Sequence, residues 1–148
     1  MIFNRQRSVR VPEKELNEFL SRARRLLGLP AGSLSVCLVS NSEMASWNRS
    51  YRGRAGTTDV LSFRAAETGG KPGRFFLPAA MSSSYLGDIA IAPAVARRNA
   101  LRGGRPFGQE MRILILHGML HLMGYDHEAD QGQMDRRERR LRRRLGLR

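Results

Sequence analysis

All three histidines of this 148-residue chain lie within eleven consecutive residues, and their spacing constrains the local fold more than any other feature. His117 and His121 are four residues apart in an apolar segment, so a helix would place both rings on one face, one turn apart. Gly124 can adopt the left-handed conformation that ends a helix, and the reversed chain can bring His127 back toward the pair. We therefore predict a helix, a glycine turn and converging imidazoles over residues 117–127.

Three converging histidines indicate a metal centre. Imidazole nitrogens bind zinc at roughly 2.0–2.1 Å, and three protein ligands with an open fourth position are typical of catalytic zinc, whereas structural zinc usually has four. We predict one catalytic ion, held by His117, His121 and His127. Zinc is the favoured metal, although three imidazoles also suit other transition metals.

The same spacing matches the zinc-peptidase signature His-Glu-x-x-His-x-x-Gly-x-x-His, with one departure. Gly118 occupies the position of the glutamate that serves those peptidases as general base, and a glycine cannot transfer a proton. Ordinary zinc-peptidase chemistry is therefore disfavoured, and the base stays unassigned. Four carboxylates are candidates for this base or for orienting a ligand imidazole: Asp59, Asp88, Asp126 and Glu128. A structural role is favoured for Asp126, as a turn residue, and for Asp59, as a capping or orienting residue.

The net charge of +13 indicates a polyanionic partner such as RNA or DNA, since phosphate neutralisation releases counterions. Of the 26 basic residues only Lys14 and Lys71 are lysine. A bias toward arginine codons would explain that preference but not the total excess of positive charge. Residues 136–148 contain eight arginines, which either lie along RNA phosphates or form a solvated helix face.

Periodicity along the rest of the chain predicts an α+β fold. We expect one domain over residues 1–148, with a mixed sheet of about four strands packed with about five helices. Residues 65–83 are predicted as a long loop, in which Phe75 and Phe76 either pack beneath the loop or stack on exposed bases. Strands are predicted at residues 1–10, 33–39, 60–63 and 86–91, and helices at 12–27, 40–47, 93–101, 107–123 and 131–145.

Targeting signals are not apparent. The single cysteine, Cys37, excludes an internal disulfide, and no run approaches roughly 18 consecutive apolar residues. Residues 1–10 mix charged and apolar side chains and lack the apolar centre of a signal peptide. We therefore expect a cytoplasmic protein with no membrane partner.

Three segments resemble a known family. The run His-Gly-Met-Leu-His-Leu-Met-Gly-Tyr-Asp-His at 117–127 resembles the signature of the YbeY family of bacterial endoribonucleases. Residues 48–63, which include Tyr-Arg-Gly and Thr-Asp-Val-Leu-Ser-Phe, and Leu-Gly-Asp-Ile at 86–89 are similar to two further segments of that family, in the same order. Two departures concern local loop shape: Arg64 stands where the family commonly has proline, and Trp47 where it often has leucine.

The resemblance implies a fold like a minimal zincin and a zinc-dependent, single-strand-specific endoribonuclease. It implies maturation of the 3′ end of 16S ribosomal RNA and ribosome quality control, with the ribosome or its small subunit as partner and no role on DNA. It also implies His117, His121 and His127 as metal ligands and Arg52 as a functional arginine. Cleavage would then proceed through an activated water or through the RNA 2′-hydroxyl, and both routes stay open.

Two other functions are compatible with the same residues. One is a metallohydrolase that acts on a peptide or a small molecule, against which stand Gly118 and the positive charge. The other is a non-catalytic ribosome-assembly factor that binds ribosomal RNA and uses the metal structurally.

Overall fold

The structure, a computed structural model, describes residues 1–65, 85–126 and 129–147. Nearly all of the predicted loop, with Phe75 and Phe76, lies outside the described residues, as do His127 and Glu128. In the described part of the chain, every helix is too short or too polar to cross a bilayer.

A four-stranded mixed sheet forms the centre of the fold, as predicted. The strands are β1 (Ile2–Asn4), β2 (Leu34–Leu38), β3 (Val60–Arg64) and β4 (Gly87–Ile91), in the spatial order β1-β2-β4-β3. β1, β2 and β4 run parallel, and β3 pairs antiparallel with β4 at the far edge. β4 is buried along its whole length because it has a partner on each side and packing on both faces.

Within the described residues, five helices accompany the sheet, in the predicted order. They are α1 (Glu13–Leu26), α2 (Asn41–Arg52), α3 (Pro93–Arg102), α4 (Phe107–Leu122) and α5 (Gln133–Arg144). α4 is the most deeply buried helix, since apolar side chains cover nearly its whole circumference. Its neighbours in the larger core include Val36, Ile89 and Ile91 from one sheet face and Leu16 of α1. The predicted α+β class, with its sheet and helix count, is confirmed.

α2 extends five residues further than predicted. Ser40 caps its start, as expected, because its Oγ accepts a hydrogen bond from the Glu43 backbone N–H at 3.2 Å. The polar second half of the helix gave no apolar periodicity beyond Trp47. Trp47 and Tyr51 nevertheless pack edge-on against Phe63 of β3, with ring centroids 6.1 and 5.1 Å away. These contacts hold the last turn in place, so Arg52 lies at the end of a helix rather than in a loop.

Candidate metal centre

α4 brings His117 and His121 together. Their Nε2 atoms are 3.1 Å apart, and their rings are edge-on with centroids 4.7 Å apart. This arrangement follows from the four-residue spacing on a regular helix, which the sequence predicted. Both side chains are half-buried, so their nitrogens face an accessible space rather than the core.

Glu138 of α5 contacts the other nitrogen of His117. The Nδ1 of His117 lies 2.8 Å from Glu138 Oε1, and Glu138 Oε2 lies 2.7 Å from Arg142 Nη2. Burial raises the pKa of Glu138, but the hydrogen bond from His117 and the charge of Arg142 outweigh this and lower it below its ordinary value. The carboxylate is therefore the acceptor, and Nδ1 of His117 carries the proton.

Two imidazole nitrogens at this separation fit a shared metal ion. With Nδ1 protonated, a neutral His117 presents the lone pair of Nε2 toward Nε2 of His121. Two zinc–nitrogen bonds of about 2.05 Å at the tetrahedral angle place the nitrogens about 3.3 Å apart, close to the observed 3.1 Å. Within the described ranges no three histidine, cysteine, aspartate or glutamate side chains form a metal-binding group. The predicted third ligand, His127, lies outside those ranges.

A cavity of about 540 Å³ opens in front of the two histidines. The end of α2, the segment before β3, β3 itself and α4 line it. Arg52, singled out only by the family resemblance, lines the same cavity. Its Nη2 donates to the backbone carbonyl of Ser62 at 3.4 Å, and the Ser62 hydroxyl donates to the Gly118 carbonyl at 3.4 Å. α2 is thereby linked through β3 to the helix that carries the histidines.

The charges around the cavity suit an anionic ligand. Arg54 and Arg64 line it together with Arg52. Two of the four candidate carboxylates, Asp59 and Asp126, are also in the lining. Guanidinium groups bind carboxylate and phosphate oxygens through paired N–H donors, so these arginines can bind either kind of anion.

The remaining candidate carboxylates do not gain support as bases. Ile89 faces α4, and adjacent residues of a strand point to opposite faces, so Asp88 faces away from the histidines. Burial raises the pKa of Asp88 to about 6, although the hydrogen bond from Tyr85 opposes this shift. Glu128 lies outside the described residues. Asp59, in contrast, lines the cavity and accepts a hydrogen bond from Asn99 Nδ2 at 3.3 Å, which holds its carboxylate in place.

The packing of Gly118 explains why this chain has no peptidase glutamate. A Cβ atom at residue 118 would lie 2.8 Å from Ile89 Cγ2 and 2.9 Å from Ile89 Cδ1. α4 therefore approaches β4 so closely that a side chain at this position would have to displace Ile89. A glutamate here would point into the sheet and not toward the histidines.

Glu138 was not among the residues predicted from the sequence. A signal was available, because Glu138 lies four residues after Met134 and three before Leu141, on the buried face of an arginine-rich helix. A carboxylate is rarely buried without a partner, so its place in this apolar row indicates a specific contact.

The chain is similar to known proteins of one family. The model of a family described as "Endoribonuclease YbeY" matches residues 1–146. The endoribonuclease YbeY of Koribacter versatilis is 39 % identical over 147 residues, which cover 99 % of this chain and 86 % of that protein. The endoribonuclease YbeY of Geobacter metallireducens is 35 % identical over 144 residues, which cover 95 % of this chain and 91 % of that protein.

A solved structure shares the fold. The solution structure of TM1509 from Thermotoga maritima superposes with a TM-score of 0.58 at 26 % sequence identity, over 98 % of this chain and 89 % of that one. Together, the family match over nearly the whole chain and the similarity to curated relatives show that the chain belongs to the endoribonuclease YbeY family.

Proposed function

We propose that the chain is a zinc-dependent endoribonuclease that cuts single-stranded RNA, with one zinc ion bound by His117, His121 and His127. Family membership supports RNA cleavage. The observation that carries the proposal is the 3.1 Å approach of two imidazole Nε2 atoms in a cavity that also contains Arg52. A zinc ion bound there supplies Lewis acidity that stabilises negative charge on phosphoryl oxygens.

We assign Arg52 to the negative charge that develops on the scissile phosphate. Its guanidinium carries five N–H donors, and the Ser62 carbonyl engages only one of its terminal nitrogens. The side chain is exposed at the cavity, where its donors can reach a bound phosphate. Fixed donors of this kind stabilise a transition state that gains negative charge without having to reorganise.

Two carboxylates that line the cavity are candidates for the group that accepts the proton, Asp59 and Asp126. Either carboxylate can accept the proton of an attacking water or of a 2′-hydroxyl, provided that it lies within hydrogen-bond reach of the attacking oxygen. Asp59 is already held by Asn99, which makes it the better-fixed of the two. Asp126 is exposed, close after the turn that ends α4.

The substrate that we propose is the 3′ region of 16S ribosomal RNA in the cytoplasm, on or beside the small subunit, with a role in ribosome quality control. The net charge of +13 supports an RNA partner. A cavity of about 540 Å³ is on the scale of a small-ligand site. A flexible single strand can present one phosphodiester to such a cavity, whereas a rigid duplex is too wide to enter it.

A paired assay tests this function. Wild-type protein and H117A are purified identically and assayed on a single-stranded RNA and on the same strand held in a duplex. We expect wild type to cleave the single strand, to lose that activity when a chelator removes the metal, and to regain it when zinc is restored. H117A should remain inactive throughout.

Two results would contradict the proposal. One is undiminished cleavage by wild-type protein whose metal content has been measured and found negligible. The other is equal cleavage by H117A and wild type, which would indicate a contaminating nuclease or a different active site. Incubation with casein in parallel distinguishes an RNA-cleaving enzyme from a peptidase.

A further inference from the structure

We infer that Glu138 is a positioning residue for the metal centre: it fixes the tautomer and orientation of His117, and Arg142 in turn fixes Glu138. This inference rests on the proposed function, because it takes His117 to be a metal ligand. The contact between Glu138 and His117 is a tertiary one, since the two residues are 21 positions apart in the sequence.

Both carboxylate oxygens of Glu138 are engaged. Oε1 lies 2.8 Å from His117 Nδ1, and Oε2 lies 2.7 Å from Arg142 Nη2. The glutamate side chain is only 10 % exposed, whereas that of His117 is 29 % exposed. Arg142 follows Glu138 by one helical turn, so the helix itself sets the geometry of that pair. The carboxylate therefore has a single orientation, with one oxygen directed at the imidazole.

The anchoring of α5 makes this orientation rigid. Met134 and Leu141, on either side of Glu138 along the buried face, are almost fully buried in the larger core. Leu145 continues the same row beyond them. Because these apolar side chains determine how α5 sits on α4, the carboxylate cannot move independently of the core.

α5 also carries an ordinary surface ion pair, with which the buried contact of Glu138 can be compared. Asp135 pairs with Arg139 at 3.0 Å, also four residues apart, but the two side chains are 64 % and 63 % exposed. That pair is exposed to solvent and contributes little to the free energy of unfolding. Glu138 instead occupies a buried position, where an unpaired carboxylate is costly. Its two partners offset that cost, and one of them is a proposed metal ligand.

The contact with Glu138 determines which nitrogen of His117 can bind the metal. A hydrogen bond from Nδ1–H to a carboxylate leaves Nε2 as the lone-pair nitrogen, and Nε2 is the atom that faces His121. Without Glu138 the ring can rotate, and the proton can move to Nε2, where it would block metal binding. Loss of such a contact typically reduces metal affinity by about 10–100-fold.

The test compares two variants with matched controls. E138Q keeps an oxygen that accepts from Nδ1–H but removes the charge. The double variant E138M/R142M removes the acceptor and leaves no unpaired buried charge, so it should fold. D135N and D135M/R139M make the same changes in the exposed pair of the same helix. Zinc affinity is measured by competition with a chromophoric chelator, and the His117 tautomer by long-range proton–nitrogen NMR of the metal-free protein.

We expect E138M/R142M to lose about 10–100-fold in zinc affinity and to shift His117 toward the Nε2–H form. E138Q should lose less and keep the Nδ1–H tautomer, and both controls should match wild type. Wild-type zinc affinity and tautomer in E138M/R142M would overturn the inference. If wild type itself binds no zinc, the proposed function fails, and the tautomer comparison still decides whether Glu138 sets the state of His117.

Discussion

Gly118 of α4 lies directly against Ile89 of β4, so closely that a Cβ atom on the glycine would be 2.8 Å from the isoleucine Cγ2. This contact holds the histidine helix against the central strand. It also gives a structural reason for the departure from the zinc-peptidase signature, because the position that would carry the peptidase glutamate faces the sheet.

G118A should therefore destabilise the protein. Alanine gains up to about 1 kcal/mol in helix propensity, but overpacking against Ile89 costs about 1–3 kcal/mol, so we expect a net loss near 1 kcal/mol. Urea unfolding measures it. G108A is the control in the same helix, since a Cβ at residue 108 meets nothing within 4 Å, and it should be neutral or stabilising. An unchanged or raised unfolding free energy for G118A would contradict the tight contact.

Asp88 should make stability fall with rising pH. Its pKa is about 6 in the folded protein against 3.8 in the unfolded chain, so the folded state binds more protons between these values. Its contribution is fully present below about pH 4 and is lost as the pH rises through 6. D88N cannot ionise, so its stability relative to wild type should rise by up to about 3 kcal/mol between pH 4 and pH 8. Parallel curves of unfolding free energy against pH would refute this.

Arg52 should affect cleavage without affecting the metal. We expect R52A to lower the single-turnover rate by about 10²–10³-fold, the usual effect of removing one transition-state donor, with zinc content unchanged. R52K should recover only part of the rate, since lysine cannot bind two phosphate oxygens in parallel. R49A is the matched control, because Arg49 lies on the same helix, is exposed and is not among the residues that line the cavity. If R52A and R49A behave alike, Arg52 has no place in the site.

The outward arginines of α5 should contribute to RNA binding. Arg140, Arg143 and Arg144 are exposed on the helix whose inner face carries Glu138. Replacing all three with glutamine should weaken binding and lower the slope of log affinity against log salt by about 2, at roughly 0.7 per lost single-strand phosphate contact. The control replaces Arg97, Arg98 and Arg102 of α3, with the same change in charge. Equal salt slopes in the two triple variants would show that α5 is merely a solvated face.

Substitution is preferable to truncation for this test. Leu145 and Leu147 are buried in the core, so removing the chain after Leu141 would unfold part of the protein together with the arginines. A loss of RNA binding after such a truncation would not report on charge.

The order of the elements was predictable because most of them have a local signal, such as apolar periodicity, Pro93 at the start of α3, and Gly124 after α4. The first strand had the weakest signal, and it covers only Ile2–Asn4 of the predicted residues 1–10. The end of α2 was not predictable, because its last turn is held by rings that meet Phe63 from a distant strand. The pairing of Glu138 with His117 could not be predicted from the sequence either. It depends on how α5 lies across α4, and no local pattern specifies the relative placement of two helices.

The strand order has a consequence for how the chain must fold. β4, the last strand in the sequence, is the only one that pairs with both β2 and β3 in the described sheet. A nascent chain that ends before residue 87 therefore presents two strands whose edges lack their eventual partner. Loop-closure entropy must be overcome before β4 can join them, so sheet formation is a late, non-local event. The histidine helix α4 lies further along the chain, after α3, so its docking on the sheet awaits the same step.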